Sequence, residues 1–305
     1  MIHHDHAHEH GHRAQSRRAL AIVLGLTAAY TVCEIVGGWL TGSLALLADA
    51  GHMLGDSAAL VLALVAAWLA GRPATPERSF GYRRAEILAA LANGVALAVI
   101  AIWVFIEAVR RLDNPREILG GWMLAVALVG LVVNAVAATI LSRAGDNLNV
   151  RAALRHVFAD LAGSVGVAIA ALVVLATGWE RADPVAGMAI GVLILGSSWS
   201  IIRDSVSILL EATPAGIDAD EVGRRMAAVD GIVEVHDLHI WTITSGFPTL
   251  SAPVLVQRGD DCHLRRRELE QLLARDFGLE HTTLQVEHVG ERSGLQIEPL
   301  RRRTR

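Results

Sequence analysis

Six stretches of nearly unbroken apolar sequence fill the first 202 residues, at positions 19–40, 44–70, 85–109, 119–141, 157–177 and 184–202. A helix needs about 20 apolar residues to cross about 30 Å of hydrocarbon, and each stretch comes close to or exceeds that length. Within lipid a segment must satisfy its own backbone groups, so all six are predicted to be transmembrane helices. The breaks between them carry turn and charge signals: Thr41-Gly42-Ser43, then residues 71–84, 110–117, 142–155 and 178–183.

Beyond Ile202 the pattern becomes that of a small soluble domain. Residues 218–229 read as an amphipathic helix and 233–244 and 249–257 as strands. Residues 263–277 form a helix with charge on one face, and 282–289 a last strand. The order helix, strand, strand, helix, strand predicts a small α+β layer of ferredoxin-like type. The fold class is therefore an all-α six-helix transmembrane domain followed by a small α+β (ferredoxin-like) cytoplasmic domain. The expected organisation is a His-rich disordered tail at 1–17, the transmembrane domain at 18–211, the α+β domain at 212–290 and an Arg-rich tail at 291–305.

Composition agrees with a membrane protein. Of the residues 53% are hydrophobic and 19% charged, and the mean hydropathy is +0.43, well above a soluble domain of this length. Every one of the 27 basic residues is Arg, which excludes a phosphate-binding loop and Schiff-base chemistry, both of which need Lys. A net charge of -4 gives no reason to expect nucleic acid as a partner. Cys33 and Cys262 are far apart with no CxxC, so no disulfide framework is expected. The polar N-terminus does not read as a cleavable signal peptide. Arg counts in the short flanks favour one side, with Arg13, Arg17, Arg18, Arg72, Arg78, Arg83, Arg84, Arg143, Arg151 and Arg155, against Arg110, Arg111, Arg116 and Arg181 on the other. The positive-inside rule then places both termini in the cytoplasm, with the third break as its weak point.

Against this background the charged residues inside the apolar runs stand out. The second run contains Asp49-Ala-Gly-His52-Met-Leu-Gly-Asp56, and the fifth is entered through His156-Val-Phe-Ala-Asp160. Both hold His-x-x-x-Asp, which puts the two side chains one turn apart on one helix face. Two such helices face to face supply two imidazoles and two carboxylates, a set that suits tetrahedral Zn2+. A lone Asp at a helix centre costs about 2.5–3.5 kcal/mol on insertion scales, and no Arg lies deep in these runs to offset it. A metal ion or protons are the natural compensators. A single buried His or Asp would more simply be an interhelical hydrogen-bonding group, but duplication of the pair argues against that. Asp49 reads as an ion-path residue or as a supporting partner for a His, and the second is favoured. Glu34, Asn93 and Asn134 read as helix–helix hydrogen-bonding groups. Glu86 and Glu107, near helix ends, read as reaching interface water. Glycines 51, 55, 163 and 166 read as points of close packing or movement near the half-sites. The run from His3 to His12 is compositionally metal-binding, a collector without fixed geometry.

These residues resemble the cation diffusion facilitator family of zinc transporters over residues 18–289. The resemblance is carried by Ser43 through Asp56, by Ser79-Phe-Gly-Tyr-Arg-Arg-Ala-Glu86, by His156-Val-Phe-Ala-Asp160 and by His236-Asp-Leu-His239-Ile-Trp241. It implies a homodimer that exports metal from the cytoplasm in exchange for protons. The two N and two O ligands favour Zn2+, with Cd2+ and Co2+ as alternatives. The Lys-free, Ala- and Arg-rich composition points to no nucleotide and to the inner membrane of a bacterium. The resemblance implies transport ligands at His52, Asp56, His156 and Asp160, and a charge interlock between Arg84 and Glu211. Some relatives bind metal in the cytoplasmic domain. Here the candidates are His236, His239, His263, His281, Glu287 and His288, although Pro253 stands where many relatives have His. The loop at 71–79 lacks the His and Asp of a further site found in some members. An intramembrane hydrolase would need an open ligand position and a general base, and HExxH is absent. A sensor would not need ligands at membrane depth.

Overall fold

The structure is a computed structural model that describes residues 5–144 and 148–290, with side chains from residue 19 onward apart from those of 148 and 149. Six helices are long and apolar enough to cross a membrane: α1 Asp5–Thr41, α2 Leu44–Ala70, α3 Ala85–Asp113, α4 Gly120–Ser142, α5 Leu148–Thr177 and α6 Ala182–Leu209. Their outer surfaces expose Trp39 at 78%, Leu193 at 73% and Leu64 at 72%. So much large apolar side chain, spread over every helix, suits lipid rather than water. The helix α1 begins at Asp5 and takes in part of the His-rich run expected to be a disordered tail. His3 and His4 lie outside the described residues, as do the side chains of the rest of that run and the Arg-rich tail at 291–305.

Two compact units divide the chain. In the first, α1, α2, α4 and α5 form one group, with a core that joins Leu44, Leu46, Met123, Ala127, Val167 and Ala171. Helices α3 and α6 approach each other at small residues. A Cβ on Gly94 would lie 3.1 Å from Ile201 and Ile202, and one on Gly191 would lie 3.6 Å from Val104 and Phe105. The turn between α1 and α2 needs Gly42 at φ +72, and Ser43 caps α2 by accepting from the Leu46 N–H.

The second unit is the C-terminal domain together with the Arg72–Ile87 segment, which the sequence reading assigned to the membrane part. Its elements are α7 Ala219–Ala227, β1 Ile232–Val235, β2 His239–Thr242, β3 Pro248–Val256, α8 Cys262–Phe277 and β4 His281–His288. Asp218 and Asp261 cap the two helices, and Gly278 at φ +67 ends α8. Strand β3 is central. It pairs antiparallel with β1 and β2, and parallel with β4 over Thr249↔His281 to Val256↔His288. The predicted single strand over 233–244 is thus two strands. Asp237 at φ 49 breaks it, and the backbone N–H of His236 still reaches the Pro253 carbonyl at 3.3 Å across the gap. Val222 and Met226 of α7 and Leu269 and Leu273 of α8 cover one face of the sheet, against Ile240, Leu250, Val254 and Val256.

Candidate metal centre

The two His-x-x-x-Asp turns meet. His52 and Asp56 on α2 face His156 and Asp160 on α5. His52 Nε2 lies 3.6 Å from Asp56 Oδ2, His156 Nε2 lies 3.4 Å from the same oxygen, and His156 Nε2 lies 3.6 Å from Asp160 Oδ2. The imidazole centroids are 6.2 Å apart. Ligand atoms at about 2.0–2.2 Å from a tetrahedral Zn2+ stand about 3.3–3.6 Å from one another, so these separations already match the edges of such a site. His52, Asp56 and Asp160 form the only group of three or more His, Cys, Asp or Glu among the described residues whose ligand atoms all lie within 4.8 Å of one another, and His156 joins it through Asp56 and Asp160 alone. Three of the site's buried atoms, His52 Nδ1, Asp56 Oδ2 and Asp160 Oδ1, have no hydrogen-bond partner. Polar atoms left in that condition within a protein are costly unless a cation or proton answers them.

The quartet opens on one side only partly. Asp160 is buried, whereas His156 is about half exposed, at 48% of its side chain. A cleft of about 560 Å3 leads to Asp56, His156 and Asp160. Its walls are mostly apolar, with Leu20, Val23 and Leu24 of α1, Met53 and Leu60 of α2, and Val157 of α5, interrupted by the hydroxyls of Thr27 and Thr31 on α1 and Ser57 on α2. These positions belong to the end of the bundle at which the chain enters α1. Gly51 and Gly55, expected as points of close packing or movement near the half-sites, are points of close packing against α3, where a Cβ would run into Ile100 and Leu97. Gly163 does serve the site region, because Asp49 Oδ1 lies only 3.0 Å from the place a Cβ would take.

At the opposite end of the bundle lies a charge cluster that the sequence reading did not single out. Asp183, fully buried at the start of α6, accepts from Ser43 Oγ–H at 2.5 Å, Leu44 N–H at 2.7 Å and Ala45 N–H at 3.1 Å. Its carboxylate therefore satisfies the free N–H groups of α2. Arg111 Nη1 lies 3.9 Å from it and donates to the Gly42 carbonyl at 2.5 Å, while Arg111 Nε donates to Glu107 at 3.0 Å. Glu107, expected to reach interface water, keeps 13% of its side chain exposed and pairs with Arg111 and with the largely exposed Arg110 and Arg116. The only signal for Asp183 in the sequence is an acid immediately ahead of Pro184, where an apolar run begins.

In the second unit, Arg84 Nη2 and Glu211 Oε1 pair at 2.9 Å. Glu211 occupies the left-handed position (φ 59) just after α6, which usually goes to Gly, and the Ala212 N–H closes back on the Ser207 carbonyl. The two side chains are 39% and 60% exposed, so water screens the pair. A double-mutant cycle with Arg84→Glu and Glu211→Arg should give a coupling energy below about 1 kcal/mol. A larger value would mean that the pair is shielded in the assembled protein.

The candidate ligands of the C-terminal domain do not converge within one chain. His236 stands 3.9 Å from Glu234, and His239 lies 3.1 Å from Asp237. His281 packs on the Phe247 ring, and Glu287 accepts from the Gln285 amide. His288 contacts Cys262 Sγ and the Asp260 carbonyl, and His263 is exposed in the first turn of α8. Asp260 itself is engaged by the Arg265 guanidinium, which holds its carboxyl below the usual carboxylate range.

Two family models match the chain. One, described as the cation efflux transmembrane domain, covers residues 20–210, and the other, described as the cytoplasmic domain of cation efflux proteins, covers residues 214–289. The chain is similar to a cadmium, cobalt and zinc/H(+)-K(+) antiporter of Bacillus subtilis, with 41% identity over 289 residues, 92% of this chain and 91% of the relative. It is similar to the zinc transporter ZitB of Escherichia coli, with 41% identity over 290 residues, 93% of this chain and 92% of the relative. A solved metal-bound C-terminal domain of the CzcD transporter from Cupriavidus metallidurans aligns with 36% identity over 23% of this chain and 99% of that one, at a TM-score of 0.23.

Proposed function

This chain belongs to the cation diffusion facilitator family of membrane transporters, and from that premise we propose that it exports Zn2+, with Cd2+ and Co2+ as further substrates, in exchange for protons. The transport ligands in this reading are His52, Asp56, His156 and Asp160. The observation that carries it is the set of 3.4–3.6 Å separations between imidazole nitrogens and carboxylate oxygens, two within α2 and α5 and one, His156 to Asp56, between them. The names of the relatives support the metals and the antiport.

His and Asp bind metal in their deprotonated forms, so protons and metal compete for the quartet. With the termini in the cytoplasm, the apolar cleft is the route by which metal arrives from that side. Zn2+ displaces protons there, the helices rearrange so that the site faces the other side, and protons then replace Zn2+. Alternating access needs two arrangements of the helices around one site at mid-depth. An inward proton gradient drives metal outward. The reading further holds that two copies associate through the domain that follows α6, and that Arg84 and Glu211 tie the second break to that domain as an interlock.

The test is flux. Purified protein in liposomes with a zinc-sensitive dye inside should accumulate Zn2+ under an imposed pH gradient. Retained zinc binding without any flux would favour a sensor instead. Metal choice gives a second expectation. His52→Asp makes the donor set harder and should shift competition curves toward Cd2+ or Mn2+ at the expense of Zn2+. Unchanged curves would argue against His52 as a ligand.

A further inference from the structure

One turn beyond the quartet, away from the cleft, the bundle holds a second polar cluster built only from oxygen and amide groups. It consists of Tyr30 and Glu34 on α1, Asp49 on α2, Asn134 on α4 and Ser164 on α5. All five are buried, Glu34 and Asn134 completely. None of the five lines the cleft that reaches the metal site. Asp49 precedes His52 by three residues and Ser164 follows Asp160 by four, which places the cluster on the side toward the α1–α2 turn.

The hydrogen-bond inventory of this cluster does not close. Tyr30 O–H donates to Glu34 Oε1 at 2.7 Å, and Asn134 Nδ2 donates to Ser164 Oγ at 3.3 Å. Glu34 Oε2 accepts from no donor. The buried carboxyl of Asp49 is the group beside it, and an ionised carboxyl brings no hydrogen to share. The titratable groups that bear on Glu34 are Tyr30 on its own helix, Asp49 on α2 and, beyond it, Asp160 on α5. Helix α4 contributes the uncharged Asn134. The one basic group near the pair, the His52 imidazole on α2, acts on Asp49 rather than on Glu34. Two ionised carboxylates cannot share such a site, and neighbouring carboxyl groups under these conditions keep one proton between them. A metal ion is a poor alternative. The packing is closed, since a Cβ on Gly130 would lie 2.1 Å from the Tyr30 hydroxyl and one on Gly163 would lie 3.0 Å from Asp49.

We propose that Glu34, bridged to Asp49, is a proton-holding station distinct from the metal ligands and supplies one of the protons exchanged for each metal ion. The inference rests on the transport reading above. When a divalent ion occupies the quartet, its field favours the ionised pair. The O–H bond at Glu34 Oε2 breaks as an O–H bond forms at an Asp49 oxygen, and the negative charge moves the opposite way. Asp49 then hands the proton on to water at the site. When the metal leaves, the pair takes a proton back.

The experiment counts protons. Zn2+ is added to the full-length protein in weakly buffered detergent solution with a pH dye, and the same variants are reconstituted for flux under a pH gradient. Glu34→Gln keeps an oxygen for the Tyr30 hydroxyl and removes the titration. It should release about one proton fewer per Zn2+ than wild type, and the stimulation of its flux by the pH gradient should fall by about tenfold or more. An unchanged proton count with unchanged stimulation overturns the proposal. A purely structural role for Glu34 would lower flux and leave the count per bound Zn2+ intact, which also overturns it. Should Glu34→Gln fail to fold, Asp49→Asn removes the other half of the pair and carries the same expectation and the same refutation. If wild type shows no flux, or Asp160→Ala transports like wild type, the transport-site reading fails and this inference falls with it. If both behave as expected and the proton count of Glu34→Gln does not move, this inference alone fails.

Discussion

Asp160→Ala is expected to abolish zinc transport, with a loss of about 100-fold or more, while the protein without metal remains as stable as wild type or becomes more stable. Both halves follow from the same geometry. Removal of groups that merely support metal ligands costs about 10–100-fold, and Asp160 would itself be a ligand, so the loss should reach or exceed the top of that range. Its side chain is 3% exposed and its Oδ1 has no hydrogen-bond partner, which makes it a costly group without a cation nearby. Taking away a buried polar group that lacks a partner removes that cost. Thermal unfolding should therefore show an unshifted or raised midpoint for the metal-free variant and no rise on adding Zn2+, whereas wild type gains stability with free metal as any bound state does. A variant that unfolds early, or one that transports, would mean that Asp160 has a structural role instead.

Asp183→Ala is expected to do the reverse. Asp183 is as buried as Asp160 but completely answered, by a hydroxyl, two N–H groups at the start of α2 and the nearby Arg111. Its removal leaves a guanidinium and two helix-terminal donors in a closed environment, and breaking a buried charge pair on one side costs about 3–5 kcal/mol. Metal binding should survive wherever the protein folds, because the quartet is formed by other turns of α2 and α5. The check is the midpoint of thermal unfolding in detergent alongside zinc affinity. Asp183→Asn should recover part of the loss, since its amide oxygen can still accept from α2. A midpoint within error of wild type for the Ala variant would remove Asp183 from the list of groups that hold α2.

These two aspartates also mark what could be read from the sequence. The His-x-x-x-Asp pairs were legible because the helix period is fixed and because charges inside apolar runs demand an explanation. Asp183 was not, since an acid at the margin of a run is ordinary, and only the fold brings Ser43 and Arg111 to it. For Glu107 the place near a helix end was legible, but not its pairing with Arg110, Arg111 and Arg116. The glycines near His52 were legible as close-packing positions but not as to partner, for helical phase places Gly51 and Gly55 toward Ile100 and Leu97 of α3. In the C-terminal domain the alternation of 233–244 gave the strand but not its interruption. Asp237 takes a left-handed conformation that depends on context rather than on periodicity. The histidines there looked like a cluster by composition, yet strand and helix directions send them to separate partners.

The apolar walls of the cleft bear on which ions can use it. On the transport reading, a hydrated divalent cation that passes Leu20, Val23, Leu24 and Met53 meets only the uncharged hydroxyls of Thr27, Thr31 and Ser57 before it reaches the quartet. On that reading most of its shell is shed only against the two imidazoles and two carboxylates at the end. Mg2+ holds its water tightly and demands six oxygen ligands at about 2.0–2.1 Å, neither of which this site offers. Zn2+ accepts four ligands and binds imidazole strongly, so it recovers at once what it gives up. Rejection of the most abundant cellular divalent ion would then need no filter at the mouth. It would follow from the scarcity of strong ligands along the passage and the small size of the cage behind it.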